Sequence, residues 1–409
     1  MASPARTARR SEERGTKQPP RKGRPKRRKS PLWARLVIVF GSLLMVGSGG
    51  TLMGAKVLLQ HYTEGVTHEG GLGTAASTAK TIDGAINLLL VGIDERKDSP
   101  GNGVRADSII IAHIPESHDG VFLTSIPRDS RVKIPANRKT GWNGGVDKIN
   151  SAFQYGFQEG GGRDGGLQLL AETVSDLAGG LKFNGAAIVN FDGFQGLVNA
   201  VGGVDMCVDE KVTSIHIGWN TKTGKEGVPY NINPDGTAGS LKPNMRAQVY
   251  EVGCRHFAAW EALDYVRQRD LLANGDSDYG RQRHQQQFIK AMLKKATSTG
   301  VITNPIKINA VLSSLKQAVS FYNNNIDIAD WIFTLKDIKP DQMVTLKMNK
   351  GEFHSETING QSFELLDDDS KALLQAIAND DVAAFVRLHP DMINDSNGTP
   401  SAPPSRSTR

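Results

Sequence analysis

The sequence predicts an α/β domain, its helices covering a mostly buried sheet, preceded by one transmembrane helix. Three observations carry this. Ile86–Ile93 (INLLLVGI) is an unbroken apolar run of strand length, as a strand covered on both faces requires. Strand-like and helix-like patterns alternate after it. Ahead of it, Leu36–Ala55 is twenty residues without a charge, about the length that crosses a hydrocarbon core.

The chain has 409 residues, enough for one large domain or two ordinary ones, and its net charge of +6 is unevenly spread. Residues 1–35 hold thirteen Lys/Arg against Glu12 and Glu13; the rest holds 36 basic and 41 acidic residues, net −5. The positive charge therefore belongs to a disordered tail, and the folded part gives no reason to expect nucleic-acid binding. The basic flank keeps that tail in the cytoplasm and sends the remainder outward. A cleaved signal peptide is the competing reading, but the run exceeds the usual ~7–15-residue apolar core of such a peptide. The expectation is a single-pass protein of the cell membrane: tail 1–35, transmembrane helix 36–56, Gly/Thr/Ala-rich linker 57–82, extracytoplasmic domain 83–390. Residues 391–409 read as a disordered tail.

Within the domain, Ser108–Ile114, Val121–Ile126 and Ala186–Phe191 read as three further strands. Lys148–Phe157, Leu167–Leu177 and Phe194–Val201 carry helical spacing. Residues 209–253 are polar and Gly-rich, an excursion with a hairpin of Val228–Ile232 and Ala247–Val252. They run between Cys207 and Cys254, which outside a membrane would normally pair rather than stay as two buried thiols. Leu263–Gln287 then predicts a helix ending near Arg269, a loop at Asn274-Gly275 and a helix from Asp278. Asn309–Tyr322, Asp327–Leu335 and Asp369–Leu388 look helical; Met343–Met348 and Gly360–Leu366 look like strands.

The chemistry concentrates in four places. Arg267, Arg269, Arg281, Arg283 and His284 fall within eighteen positions, and guanidinium forks match phosphate oxygens. Arg281, His284 and Gln285, at i, i+3 and i+4, share a helix face, while Arg283 points elsewhere. The plain alternative is a solvated, salt-bridged helix pair. Asp94 follows one strand, Arg105-Ala-Asp107 opens the next, and Arg128-Asp129 follows a third. Ligands of open α/β sheets bind at the carboxyl ends of strands, so Asp94 and Arg128 belong together. Asp107 joins them only if its strand runs antiparallel. Carboxylates and arginines at one sheet mouth suit a metal-bridged phosphate, with Asp oxygens on Mg²⁺. Nucleotide-loop, H-E-x-x-H and C-x-x-C motifs are missing, and the one Ser in a G-x-S-x-G-like setting lies in the membrane run.

Six stretches occur together in order: NLLLVGIDER (87–96), VRADSIIIAHI (104–114), LTSIPRDSRVKIP (123–135), DKINSAFQYG (147–156), VNFDGFQGLVNAVGGVDMCV (189–208) and ALDYVRQRDL…DSDYGRQRHQQQFI (262–289). As a set they resemble the LytR-CpsA-Psr family of cell-wall proteins. The resemblance implies an α/β/α sandwich around a central mixed β-sheet, with a hydrophobic pocket for a polyprenyl chain. It implies a phosphotransferase that moves a glycopolymer from a polyprenyl-pyrophosphate carrier to a peptidoglycan hydroxyl. In that frame Asp94 and Asp107 handle Mg²⁺. Arg105, Arg128, Arg267, Arg269 and Arg281 grip the diphosphate, with Gln285 in the same shell. His284 stands where the family often has a second arginine. Asp129 or Asp94 would serve the attacking hydroxyl. A non-catalytic polyprenyl-phosphate binder, a membrane-anchored regulator and a phosphatase are the alternatives.

Overall fold

The computed structural model describes residues 67–68, 71–79, 81–95, 103–234, 236–298 and 319–394, except 327–329, 332–333 and 335–337. Its centre is a seven-stranded sheet. In chain order the strands are β1 (Thr67–His68), β2 (Ile86–Ile93), β3 (Ala106–Ile114), β4 (Val121–Ser125), β5 (Gly185–Val189), β6 (Val319–Tyr322) and β7 (Met343–Lys347). Their spatial order is β1-β6-β5-β2-β3-β4-β7. β2, β4, β5 and β7 run one way; β3 and β6 run against them, so the sheet is mixed.

The apolar run of β2 is explained by its two faces. Leu89, Val91 and Ile93 join one core cluster, together with Ile109 and Ile111 of β3. Leu88 and Leu90 turn the other way, with Ile110, Ala112 and Ile114. Side chains alternate at period two, so only a sheet buried on both sides needs a strand with no polar alternation. The first face is covered by α1 (Ile149–Phe157), α2 (Gly162–Leu177) and α6 (Asp368–Ala378). The second face meets α5 (Ser277–Ser298), whose Ile289 and Leu293 reach it. α3 (Phe191–Ala200) and α4 (Ala259–Arg267) pack beside α5 over a further core. The layers are therefore helix, sheet, helix.

Several boundaries differ from the sequence reading. Part of the expected linker is packed: Leu72 and Ala75 are buried in the first core, and Ala76 bridges to Phe183. The domain continues past 390, since Met392 is buried and Ile393 bridges to Leu346. The helix expected over Asn309–Tyr322 ends as strand β6; its earlier part lies outside the described residues. Antiparallel pairing of Val319–Tyr322 with β5 overrides the helical rhythm before it. Asp369–Leu388 is two helices, α6 and α7 (Val382–Leu388), broken where Asp380 takes a positive φ.

The excursion is also paired differently. Val212–Asn220, unrecognised in the sequence, pairs antiparallel with Met245–Tyr250 through a register shift between Ala247 and Val249. Tyr230–Ile232 pairs instead with Ala238–Leu241. Cys207 and Cys254 sit directly opposite each other in an antiparallel pair and are joined by a disulfide. Among the described residues no helix is long and apolar enough to cross a membrane; the run 36–55 lies outside them.

Candidate functional site

A cavity of about 500 Å³ opens between the second sheet face and helices α3, α4 and α5. Its walls follow from the strand directions. β2 and β4 run in parallel, so the residues just after them, Asp94 and Arg128, reach the same end of the sheet. β3 runs antiparallel, so Asp107 at its start lies there too. Further in, the same strands supply Leu90 and Ile110. Gly92 adds to the wall, and a Cβ there would meet that of Ser108 at 3.0 Å.

Helix α5 repeats this gradient along its length. Arg281, Gln285, Phe288 and Met292 all line the cavity, with the polar pair in the first turns and the apolar pair beyond. Steps of four, three and four residues return to one face of a helix. α4 contributes Leu263 and Val266 to the wall and Arg267 to its polar part; Arg269 follows just past the helix end. The result is a greasy interior with an ionic mouth.

The mouth is tightly wired. Arg128 Nη1 donates to Asp107 Oδ1 at 2.7 Å, and its Nε lies 3.7 Å from Asp278 and 3.8 Å from Asp129. Arg281 Nη2 donates to the Asp107 carbonyl at 2.8 Å and pairs with Asp278 at 2.8 Å. Burial alone would raise the Asp278 pKa, but Arg281 and Arg128 hold the carboxyl below its usual range. For Arg281 burial dominates and lowers the pKa, yet a guanidinium stays charged. Arg267 lies 4.0 Å over the Phe191 ring, a cation–π contact at the cavity wall. Ser108 donates to Gln285 Oε1 at 2.8 Å. The Nε atoms of Arg128 and Arg281 are both buried and lack a hydrogen-bond partner among the described residues. Both guanidinium groups line the cavity and are held in place by carboxylates, a geometry that suits acceptor oxygens such as those of a phosphate.

Of the residues expected from sequence, Asp94, Asp107, Arg128, Arg267, Arg269, Arg281 and Gln285 line the cavity. Three do not. Arg105 turns toward α1, its Nε donating to Gln154 at 2.9 Å. Asp129 stands behind Arg128 and pairs with Lys148 at 2.9 Å. His284 is fully buried, stacked on Tyr265 at 4.4 Å and facing Asp209 and Glu210 at 3.5 and 3.3 Å. At about 100° per residue Gln285, Phe288 and Met292 stay within about 40° of Arg281 around the helix, whereas His284 falls about 60° to the other side, off the cavity face. Its pKa is raised: burial opposes this, but the two carboxylates outweigh it. Arg283 joins the same buried group, pairing with Asp209 at 2.7 Å and also with Glu210 and Asp276.

Sequence reasoning assigned no role to Asp278 and missed His216 and Gln268. His216 lines the cavity from the unrecognised strand Val212–Asn220. Behind it, buried Gln268 accepts the Ile215 N–H at 3.0 Å, which turns its amide nitrogen toward His216 Nδ1 at 2.9 Å. That contact holds the imidazole at the cavity wall. The same amide meets Asp264 Oδ1 at 2.8 Å, and Ser214 and Tyr250 hydroxyls hold that carboxylate at 2.9 and 2.8 Å. Only the tertiary pairing of that strand could have revealed this.

Fold and site together define an α/β domain whose cavity has apolar room within and fixed cations at the opening, a shape suited to an amphiphile with an anionic head. The chain belongs to the LytR_cpsA_psr family, whose model matches residues 56–379. It is 28% identical over 355 residues to the polyisoprenyl-teichoic acid–peptidoglycan teichoic acid transferase TagU of Oceanobacillus iheyensis, covering 85% of this chain and 93% of that one. It is 32% identical to the probable cell wall biosynthesis protein LcpB of Corynebacterium glutamicum over 58% of this chain, but only 47% of that relative is spanned. Among solved structures, the fold is shared with gbs0355 from Streptococcus agalactiae at a TM-score of 0.52 and 22% identity, covering 73% of this chain and 88% of that one. TagT bound to LIIa-WTA matches at a TM-score of 0.51 and 19% identity, covering 76% and 99% respectively.

Proposed function

We propose that the protein transfers a cell-wall glycopolymer from a polyprenyl diphosphate to a peptidoglycan hydroxyl, leaving a phosphodiester. One observation carries this reading: an apolar cavity ends in a mouth holding Arg128, Arg281, Asp94 and Asp107. The prenyl chain lies inside and the diphosphate at the mouth. Family membership and the TagU likeness support the same substrate class.

Chemically, an acceptor hydroxyl attacks the glycopolymer-side phosphorus. A new P–O bond forms, the bond to the bridging oxygen breaks, and polyprenyl phosphate leaves. The hydroxyl proton passes to a carboxylate, a role we assign to Asp94, which lines the mouth; Asp129 lies outside the cavity lining and pairs with Lys148. Arg128 and Arg281 hold the non-bridging oxygens and are already fixed by Asp107 and Asp278, so little reorganisation is needed. No nucleotide is required, because the diphosphate bond itself drives transfer.

The donor set suits Mg²⁺. Asp94 and Asp107 offer hard oxygens at one opening, and Mg²⁺ commonly takes one or two carboxylates and completes its shell with phosphate oxygens and water. When bound it would neutralise diphosphate charge. The run 36–55 would anchor the domain at the outer face of the cell membrane, where the carrier resides. The test incubates full-length protein with a polyprenyl-diphosphate-linked glycopolymer, with and without peptidoglycan and Mg²⁺. Release of polyprenyl phosphate together with polymer-bearing peptidoglycan is the expected result. Binding without release would leave a carrier-binding protein, and release of free polymer alone a hydrolase.

A further inference from the structure

We infer that the two-stranded ribbon Tyr230–Ile232/Ala238–Leu241 is a membrane-contacting lip that lays its outer face on an anionic lipid bilayer beside the cavity mouth. This rests on the polyprenyl-carrier reading of the cavity. Register defines the face. Tyr230 and Leu241 stand directly opposite each other; Ile232, two residues on and across a register shift, faces Ala238, and Val228 precedes the strand at the same two-residue spacing. The other side is polar along the strands, where exposed Asn231 donates to Ser240 at 2.8 Å, and packed before them, where Pro229 is buried and a Cβ on Gly218 would meet its ring at 2.8 Å. The outer side is left open, with Val228 43%, Ile232 49% and Leu241 51% exposed. A contiguous apolar face of this kind marks a contact surface, whereas scattered exposed side chains do not.

Three features point to lipid as the occupant. First, the ribbon's turn touches the mouth. Gly236, at φ +82°, lines the cavity and lies against Arg269, while the Ala238 N–H donates to Asp270 at 2.9 Å. Docking this face would set the arginines near headgroup depth, where a carrier's diphosphate resides. Second, cations fringe the ribbon: residues 219–247 hold Lys222, Lys225, Lys242 and Arg246 against Glu226 and Asp235. Such a fringe is drawn to anionic headgroups. Third, fifteen residues separate the uncharged run 36–55 from Gly71 in sequence. Fifteen residues extend at most about 50 Å, so a chain anchored there works against a bilayer throughout.

The test uses full-length protein in vesicles of phosphatidylglycerol and phosphatidylcholine. The native cysteines are paired, so Leu241→Cys accepts a single fluorophore; Leu388→Cys, at a site 79% exposed, serves as control. The label at 241 should be quenched by lipids brominated near the headgroup and the label at 388 should not. Equal quenching at both sites, or none at 241, overturns the lip. The double variant I232D/L241D should lower turnover of a vesicle-borne long-chain donor at least about tenfold while leaving a water-soluble short-chain donor unaffected. Equal loss on both donors, or on neither, also overturns it. If no donor is turned over at all, the transferase reading fails, and the quenching comparison still decides the lip. Quenching relieved by soluble peptidoglycan fragments in place of lipid would make the face a glycan site and overturn the proposal.

Discussion

Two arginines two residues apart on α5 have opposite employments. Arg283 is saturated: Asp209, Glu210 and Asp276 surround its guanidinium, and the fully buried His284 faces two of the same acids. Arg281 is fixed by Asp107 and Asp278 and, with Arg128, lines the cavity. One cluster is interior and ties helix to loop. The other lies along a cavity wall. An ion network buried among protein groups is structure; a preorganised one that lines a cavity is a site.

The contrast can be broken by mutation. Arg283→Ala strands Asp209 and Glu210 in the interior and should cost about 3–5 kcal/mol in chemical denaturation. A loss under about 1 kcal/mol, typical of surface pairs, would remove the distinction. Arg128→Ala and Arg281→Ala should instead leave the folded far-UV spectrum intact while turnover falls about 10²–10³-fold. Unchanged turnover in either would take the phosphate-gripping role away from the mouth. His216→Ala removes one oriented polar group from the cavity wall, for an expected drop of about tenfold, and His216→Gln should restore part of it. No change in the alanine variant would assign the Gln268 network to packing alone.

The smallest expected effect is on pH dependence. The His284 pKa is raised above 6.5 in the fold, so its contribution is whole below about pH 6.5 and is lost as pH rises through the folded value. The Asp209 pKa runs the other way: burial would raise it, but His284 and Arg283 hold it low, so its contribution is lost only in acid. Thermal melts of the native chain should therefore decline toward alkaline pH more steeply than those of His284→Asn. Parallel curves would mean that His284 is neutral throughout.

Much of the fold was readable because burial on two faces leaves an unmistakable apolar run in β2 and β3. Val319–Tyr322 was not, since four residues of strand follow a helix-like stretch with no break between them. Of the site, Asp94 and Arg128 could be placed from their positions after strands. Arg105 could not be excluded, because side-chain direction two residues before Asp107 depends on what α1 presents, here Gln154. His284 was misplaced for a related reason. Helical spacing tells which residues share a half-turn, but the width of the cavity face and the position of Asp209 decide which of them look into it.

By itself, the sequence determined the alternation of strands and helices, the loop at Asn274-Gly275 and the gathering of cations and carboxylates near strand ends, all of which follow from local periodicity and residue chemistry. The tertiary structure alone decided that β3 runs antiparallel and so delivers Asp107, that Arg281 faces the cavity while Arg283 and His284 close on Asp209 and Glu210, and that an excursion strand carries His216 to the wall. Those outcomes depend on strand direction, register and helix rotation, which are set by contacts between segments far apart in the chain.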